Sequence, residues 1–236
     1  SITFKELVDY KLNTGMEVAD RFLDDLLEAV KEHPDSLANE AASVLVKWDK
    51  STNSDSRGAI LFANWFDKID NSMFAIPWSA DNPVSTPDGL SEKKLAVSLL
   101  ADAAREVNET YGSLEIAWGD VNRFIIGKKE FPGNGGKHDL GVFRTMYFQE
   151  IEIISKTNNY AFNGDTYVAV VEFGDSVRAE VLLSYGNATQ SSHKFPENQL
   201  ELLSENKLRT ALLTKDEALE NMAFKETLIR NEKGRE

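Results

Sequence analysis

The first half of the chain carries apolar side chains at helical spacing. Apolar residues recur on one face between positions 4 and 30, behind a Thr-x-x-Glu capping box made by Thr3 and Glu6. Gly15 interrupts this stretch, so we expect two helices separated there. The same spacing predicts two more helices, over Ser36–Trp48 and Gly58–Ile69, joined by a polar loop over Asp49–Ser56.

A proline-containing connection then leads to another helix. The segment Ser72–Gly89 holds three prolines, which favours an extended connection over a helix. Ser91 opens a helix that ends near Gly112. Its apolar positions fall at successive i+4 steps and are Leu95, Leu99, Ala103 and Val107.

β-Favouring runs dominate the second half. We predict strands over Phe143–Ser155, Thr166–Phe173 and Val177–Tyr185, the last two joined as a hairpin across residues 174–176. Their valines and leucines indicate that these two strands are covered on more than one side. Segments 118–121 and 131–136 are predicted as loops. Near the C-terminus we expect a short helix over Pro196–Ser204 and a second capping box, Thr214-x-x-Glu217.

These elements predict an α+β protein. We divide it into a mainly helical region, 1–112, and a strand-rich region with short C-terminal helices, 113–236, which together form one continuous unit. At 236 residues and 42% hydrophobic positions, the chain is long and apolar enough to bury a substantial core.

Composition excludes several classes of function. The chain has 26 Lys+Arg against 39 Asp+Glu, and the net charge of -13 repels nucleic acid and anionic membranes. It has no cysteine, which excludes disulfides, thiolate metal ligands and a thiol nucleophile. No run is long enough to span a bilayer, and the N-terminus lacks the pattern of a signal peptide.

Motifs for catalysis, metal or cofactor binding are absent from the sequence. The three histidines, His33, His138 and His193, belong to no metal-ligand pattern, so we place them in loops or at the surface and expect no metal or cofactor. There is no G-x-S-x-G motif, and the glycine-rich segment 133–136 lacks the Lys-Ser/Thr of a phosphate-binding loop, which favours a flexible turn. With 39 acidic residues, no particular carboxylate pair stands out.

Five residues are candidates for a pocket or a nucleophile. Trp48 and Trp65 lie on apolar helical faces and are predicted core residues, whereas Trp78 and Trp118 lie in predicted loops and are better candidates for lining a pocket. An N-terminal Ser can act as a nucleophile when a buried strand holds it. Ser1 instead stands two residues before a helix cap, so we do not assign it this role.

Several stretches, taken in order from about Thr3 to Glu217, resemble the β chain of the penicillin acylase family of N-terminal nucleophile hydrolases. The matching sequences include Phe22–Leu27, Leu45–Asp49, Arg57–Phe62 with Trp65, Tyr111–Ser113, Trp118–Arg123, Pro132–Gly133 and Gly141–Arg144. The most specific are Val170–Asp175, Leu183–Gln190 and Gln199–Leu202. The Ser-Tyr-Gly-Asn-x-x-Gln pattern is most similar to the branch of aculeacin A acylase and the acyl-homoserine lactone acylases.

The resemblance implies an enzyme that removes acyl chains from amides. It implies an exported precursor, periplasmic or secreted, that cuts itself into α and β chains, with the new N-terminal Ser of β as nucleophile. It further implies that the strands over Phe143–Tyr185 belong to a four-layer αββα core. In the family, the nucleophile, the oxyanion-hole groups and the ligands of the structural calcium all precede the stretch that matches Thr3. No catalytic residue is therefore assigned here, and substrate-binding residues stay unknown.

Three hypotheses follow. In the first, the chain is the C-terminal portion of an acylase β chain, non-catalytic on its own, and its partners are the α chain, the N-terminal part of β and, in the assembled enzyme, an acyl-amide substrate. In the second, it is a stand-alone binding module that kept the fold without the chemistry. In the third, it is an unrelated hydrolase that uses Asp and Glu, which requires a cleft with paired carboxylates.

Overall fold

The computed structural model of the chain describes residues 1–184, 186 and 199–222. His193, most of the Ser-Tyr-Gly-Asn motif and the first part of the helix predicted over Pro196–Ser204 lie outside these residues.

Five helices make up most of the first 112 residues. They are α1 (Phe4–Lys11), α2 (Glu17–Glu32), α3 (Ser36–Leu45), α4 (Ala59–Phe66) and α5 (Lys93–Tyr111). The predicted capping box at α1 is confirmed: Glu6 N donates to Thr3 Oγ1 at 3.2 Å, and Thr3 N donates to Glu6 Oε2 at 2.7 Å. The predicted break at Gly15 is also confirmed, since α1 ends before this residue and α2 begins after it.

Helices α3 and α4 end three residues earlier than predicted. Beyond each end, the backbone N–H groups of Trp48 and Ile69 donate to the carbonyl oxygen three residues earlier instead of four. Each helix is therefore followed by a tight turn of the 3₁₀ type. Trp48 is nevertheless a core residue, as predicted, because its indole Nε1 donates to Ser51 O at 3.0 Å and to Ser56 Oγ at 2.8 Å inside the following loop.

The buried face of α5 differs from the predicted one. Leu95 is 47% exposed and Leu99 is only partly buried, whereas Ala96, Val97 and Leu100 are buried. Residues spaced exactly four apart shift gradually around a helix. Leu95, the first of the series, therefore does not lie on the face that Ala103 and Val107 share. Gly112, in the left-handed region at φ 75°, ends the helix where predicted.

The proline-containing connection includes a small hairpin that the sequence did not predict. Strands β1 (Phe74–Ile76) and β2 (Asp88–Leu90) pair antiparallel, with all three prolines in the loop between them. Pairing is confined to three residues a side, too short to leave a periodic pattern in the sequence.

A four-stranded mixed sheet follows the one-turn helix α6 (Trp118–Val121). The segment that forms α6 was predicted as a loop. Its strands are β3 (Asn122–Ile126), β4 (Lys129–Pro132), β5 (Met146–Glu150) and β6 (Asn159–Gly164), in the order β4-β3-β6-β5. Of these, the sequence predicted only β5, and over a longer range. The β3–β6 pair is parallel and the other pairs are antiparallel.

The predicted hairpin near residue 175 is confirmed. Strands β7 (Tyr167–Glu172) and β8 (Arg178–Leu183) pair antiparallel in a three-stranded sheet with β9 (Arg209–Thr210). Val181 and Leu182 are both buried, so β8 is covered on two sides as predicted. In β7 the prediction was wrong, because Val168 and Val170 are buried while Val171 is exposed.

The loop 133–136 is packed and not a flexible turn. All four of its residues are buried, and the Asn134 side chain donates to the backbone oxygens of Leu203 and Ser204 in α7 (Leu200–Ser204), at 3.0 and 2.8 Å. A Cβ on Gly135, which has φ 80°, would stand 2.5 Å from Arg144 O, so glycine is required there. The second capping box is confirmed at α8 (Lys215–Glu220).

Two hydrophobic cores hold these elements. One lies among the helices and the other joins β3, β5, β7, β8 and α7. Phe148 of β5 packs against both, and its ring meets Trp118 edge-on at 6.4 Å between centroids. The α+β class is therefore confirmed, whereas the boundary at residue 112 and the four-layer core stay predictions.

Candidate functional site

The structure places the candidate catalytic side chains apart from one another. Ser1 is exposed ahead of α1, and His33 is exposed at the end of α2. His138 is also exposed, hydrogen-bonded through Nδ1 to the Tyr147 hydroxyl and 2.9 Å from Asp139 through Nε2. No nucleophile, base and orienting acid are assembled among the described residues.

One carboxylate stands out electrostatically. Burial raises the pKa of the Asp25 carboxyl, and the negative charges of Asp88 and Glu28 raise it further. A perturbed carboxyl is an acid–base candidate only inside a cleft. Asp25 lines neither the cavity nor the open groove described below, so the Asp/Glu hydrolase hypothesis gains no support from it.

A cavity of about 200 Å³ lies where the helices meet the four-stranded sheet. One side is a helical stripe of α4, formed by Ile60, Ala63, Asn64 and Asp67. The other side comes from α6 and strands β3, β5 and β6, with Tyr111 of α5 between them. We call this space the helix–sheet cavity.

The helix–sheet cavity carries three asparagines with unused hydrogen-bonding groups. Asn122 and Asn159 are register partners on β3 and β6, so their side chains leave the sheet on one face, and Asn64 reaches the cavity from α4. None of the three side-chain amides bonds to another residue within ranges 1–184, 186 and 199–222. Asn122 is buried and Asn64 and Asn159 are half-buried, so their amides make the wall of the cavity polar.

The other polar groups of the cavity include the Tyr111 phenol and an ion pair. Burial raises the pKa of the Tyr111 hydroxyl, with a smaller contribution from the negative charge of Glu150, so the phenol stays protonated at neutral pH. Lys137 Nζ lies 2.5 Å from Asp67 Oδ1, and the two charges compensate each other. The cavity is therefore polar and carries no net charge.

The two tryptophans predicted to line pockets occupy different environments. Trp118 lines the helix–sheet cavity but is only 5% exposed, and its indole N–H is fully buried without a partner in the described chain. Trp78 is 61% exposed and lines an open groove beside α2. Arg21 in that groove donates to Pro87 O and Val84 O at 3.0 and 2.9 Å, so its donors are already used.

The sequence reasoning missed the asparagines of the cavity. Asn64 offered a signal, because it is the one polar residue of the apolar helix Ala59–Phe66. Asn122 and Asn159 gave none, because their pairing depends on strands β3 and β6, which were not predicted.

The described residues can also be examined for a metal site and for membrane-spanning helices. Within them, no three His, Cys, Asp or Glu side chains come together in a way that could hold a metal ion. None of the helices there has the length and apolarity needed to cross a membrane.

The family of the chain follows from a match over nearly its whole length. The family model for penicillin amidase matches residues 1–220. The chain belongs to the penicillin amidase family. The match covers both the helical and the strand-rich parts of the fold, including all residues of the helix–sheet cavity.

Two curated relatives of this penicillin amidase family member are acyl-homoserine lactone acylases named PvdQ. The protein of Pseudomonas fluorescens (strain Pf0-1) is 24% identical over 219 residues, covering 86% of this chain and 27% of the relative. That of Pseudomonas syringae pv. syringae (strain B728a) is 26% identical over 250 aligned residues, covering 99% and 31%. The chain thus spans less than a third of the length of these relatives.

A solved structure similar to the chain is a thermostable penicillin G acylase from Alcaligenes faecalis. It is 15% identical, with a TM-score of 0.44, and the alignment covers 93% of this chain and 47% of that one.

Proposed function

We propose that this chain is the C-terminal portion of the β chain of an acyl-amide hydrolase, and that it is non-catalytic on its own. The family match over residues 1–220 carries the proposal. The names of the two curated relatives point to acyl-homoserine lactones as a substrate class of the assembled enzyme. Lipopeptides and β-lactam side chains are the other acyl amides that the resemblance suggests.

The surface of the three-stranded sheet supports a role inside a larger assembly. Strand β7 lies at the edge of this sheet among the described residues, and Tyr167, Val171 and Phe173 are 62%, 38% and 83% exposed. Exposed edges and contiguous apolar surface are typical of contacts with other segments. We propose that the α chain and the N-terminal part of β cover this surface, and that assembly takes place in the periplasm or outside the cell.

A stand-alone binding module is the second candidate. The helix–sheet cavity favours it, because a polar cavity with unpaired amides is a binding site that needs no catalytic residues. A module of this kind would function without other acylase segments.

An activity assay on the purified chain tests the absence of catalysis. The chain is incubated with acyl-homoserine lactones of several acyl lengths and with penicillin G, and the released carboxylic acid is measured by mass spectrometry. We expect no turnover above buffer, because Ser1 is exposed and lacks a fixed base and oxyanion donors. Turnover that disappears in Ser1→Ala would refute the proposal and make Ser1 a nucleophile.

A further inference from the structure

We propose that the helix–sheet cavity binds an uncharged, single-ring compound that carries several hydroxyl or amide groups. The inference is drawn from the cavity itself and does not depend on the proposed function. It rests on the chemistry of the cavity wall, on its charge and on its size.

The wall presents donors and acceptors together. The amide atoms of Asn64, Asn122 and Asn159 make no hydrogen bond within the described chain, yet none of them is completely shielded from solvent. Each amide offers two donors and one acceptor, so a matching ligand must both donate and accept. Ring hydroxyls and the edges of cyclic amides have this property. A purely apolar ligand would cover these amides and leave them without a hydrogen-bond partner, which is unfavourable.

Aromatic side chains supply the apolar surface beside these amides. Tyr111, Trp118, Tyr147 and Phe148 line the cavity from α5, α6 and β5. Aromatic faces and edges pack against flat rings and against the C–H faces of saturated rings. A few placed polar groups among aromatic walls are typical of small-molecule sites.

Charge and size narrow the ligand class. Asp67 and Lys137 are the charged residues among those that line the cavity, and they neutralise each other at 2.5 Å. A charged ligand would therefore find no counter-ion, and its desolvation would not be offset. The volume of about 200 Å³ suits one substituted ring, since a cavity of about 150 Å³ already holds a benzene molecule in another protein.

Equilibrium titration of the purified chain tests the proposal. The probes are N-acetylglucosamine and uracil, which separate a saturated polyol ring from a flat cyclic amide, and the readouts are calorimetry and tryptophan fluorescence. Cyclohexanol and gluconate serve as the apolar and the charged controls. We expect saturable binding of at least one probe, with weaker or no binding of both controls.

Two substitutions locate the site. Asn64→Ala should weaken probe binding about tenfold, because one amide contributes one to two of the hydrogen bonds. Asn39→Ala, at an exposed asparagine on α3, is the matched control and should leave affinity unchanged. Asn64→Asp, nearly identical in shape, should weaken binding as well and serves if the alanine variant unfolds. Absence of saturable binding by both probes, equal affinity in the Asn64 variants, or tighter binding of either control would each overturn the proposal.

Discussion

Among the described residues, Arg144 is the charged side chain that the fold removes most completely from solvent. It is 0% exposed, its Nε donates to Asn134 Oδ1 at 3.3 Å, and its terminal nitrogens have no hydrogen-bond partner in the described chain. Burial lowers the pKa of its guanidinium, while the negative charge of Asp165 raises it in part. Asp165 Oδ2 lies 3.9 Å from Arg144 Nη1 and accepts a hydrogen bond from Lys11 Nζ at 2.7 Å.

The substitution Asp165→Asn should therefore destabilise the protein by about 3 kcal/mol, because it leaves a buried cation without its counter-charge. Adding Arg144→Met should recover part of this loss, since the double variant has no buried charge left to compensate. Urea unfolding of the two single variants and the double variant measures the coupling. A double variant less stable than Asp165→Asn would show that the pair is not coupled in this way.

Asp49 gives a pH dependence with a definite sign. Burial acts to raise the pKa of its carboxyl, but hydrogen bonds from Ser56 and Ser51 outweigh burial and hold the pKa below its usual value. A lowered carboxyl pKa contributes stability that is present above the unfolded-state value of about 3.9 and is lost as the pH falls through the folded-state value. Asp49→Asn should thus make the fall in melting temperature between about pH 5 and pH 3 less steep.

The exposed Asp24, on α2, supplies the control for this pH experiment. Asp24→Asn should leave the slope of melting temperature against pH close to that of the parent. Equal slopes for Asp49→Asn and the parent would mean that the Ser51 and Ser56 hydrogen bonds do not favour the ionised carboxyl.

At the scale of elements, α5 buries two of the residues that sequence periodicity selects, Ala103 and Val107, but leaves Leu95 exposed. Leu100→Ala should cost about 2–5 kcal/mol of unfolding free energy, because Leu100 is completely buried between α5 and its neighbours. Leu95→Ala should change it by less than about 0.5 kcal/mol, because Leu95 is 47% exposed. Urea unfolding of both variants checks this, and similar losses in the two would contradict the observed orientation of the helix.

The helices could be predicted from sequence because their signals are local. Capping boxes at Thr3 and Thr214 and the end at Gly112 depend on residues within one turn. Strand β6 was missed because it pairs in parallel with a strand distant in sequence, as in the Asn122–Asn159 pair. The β3–β4 hairpin was missed although its strands are neighbours in the chain, because polar residues such as Arg123, Lys129 and Glu130 interrupt its apolar pattern. The hairpin near residue 175 was found because valines and leucines mark both of its strands.

The candidate site was less predictable than the fold. Trp118 was selected correctly as a cavity residue, although from a segment predicted as a loop, whereas the three asparagines were not selected. The site is formed by one helical stripe and a cross-strand pair from separate parts of the chain, so no local motif marks it. These residues come together only in the fold, where α4 and the four-stranded sheet line the same cavity.

At the scale of the whole molecule, the family relationship supports the proposed role inside a larger enzyme. The chain spans less than a third of the length of the curated acylases that it matches, and Tyr167, Val171 and Phe173 of the described residues leave apolar surface exposed in and beside β7. Under the proposed function, activity belongs to the assembled enzyme, to which this chain contributes part of the core.

Co-expression with the proposed partner, a segment that comprises the α chain and the N-terminal part of β and is called the upstream segment below, tests this central claim most directly. Hydrolysis of an acyl-homoserine lactone is measured for the upstream segment alone, for this chain alone and for the two together. We predict turnover only when both parts are present and co-purify. Turnover by this chain alone, or equal turnover by the upstream segment with and without it, would contradict the account.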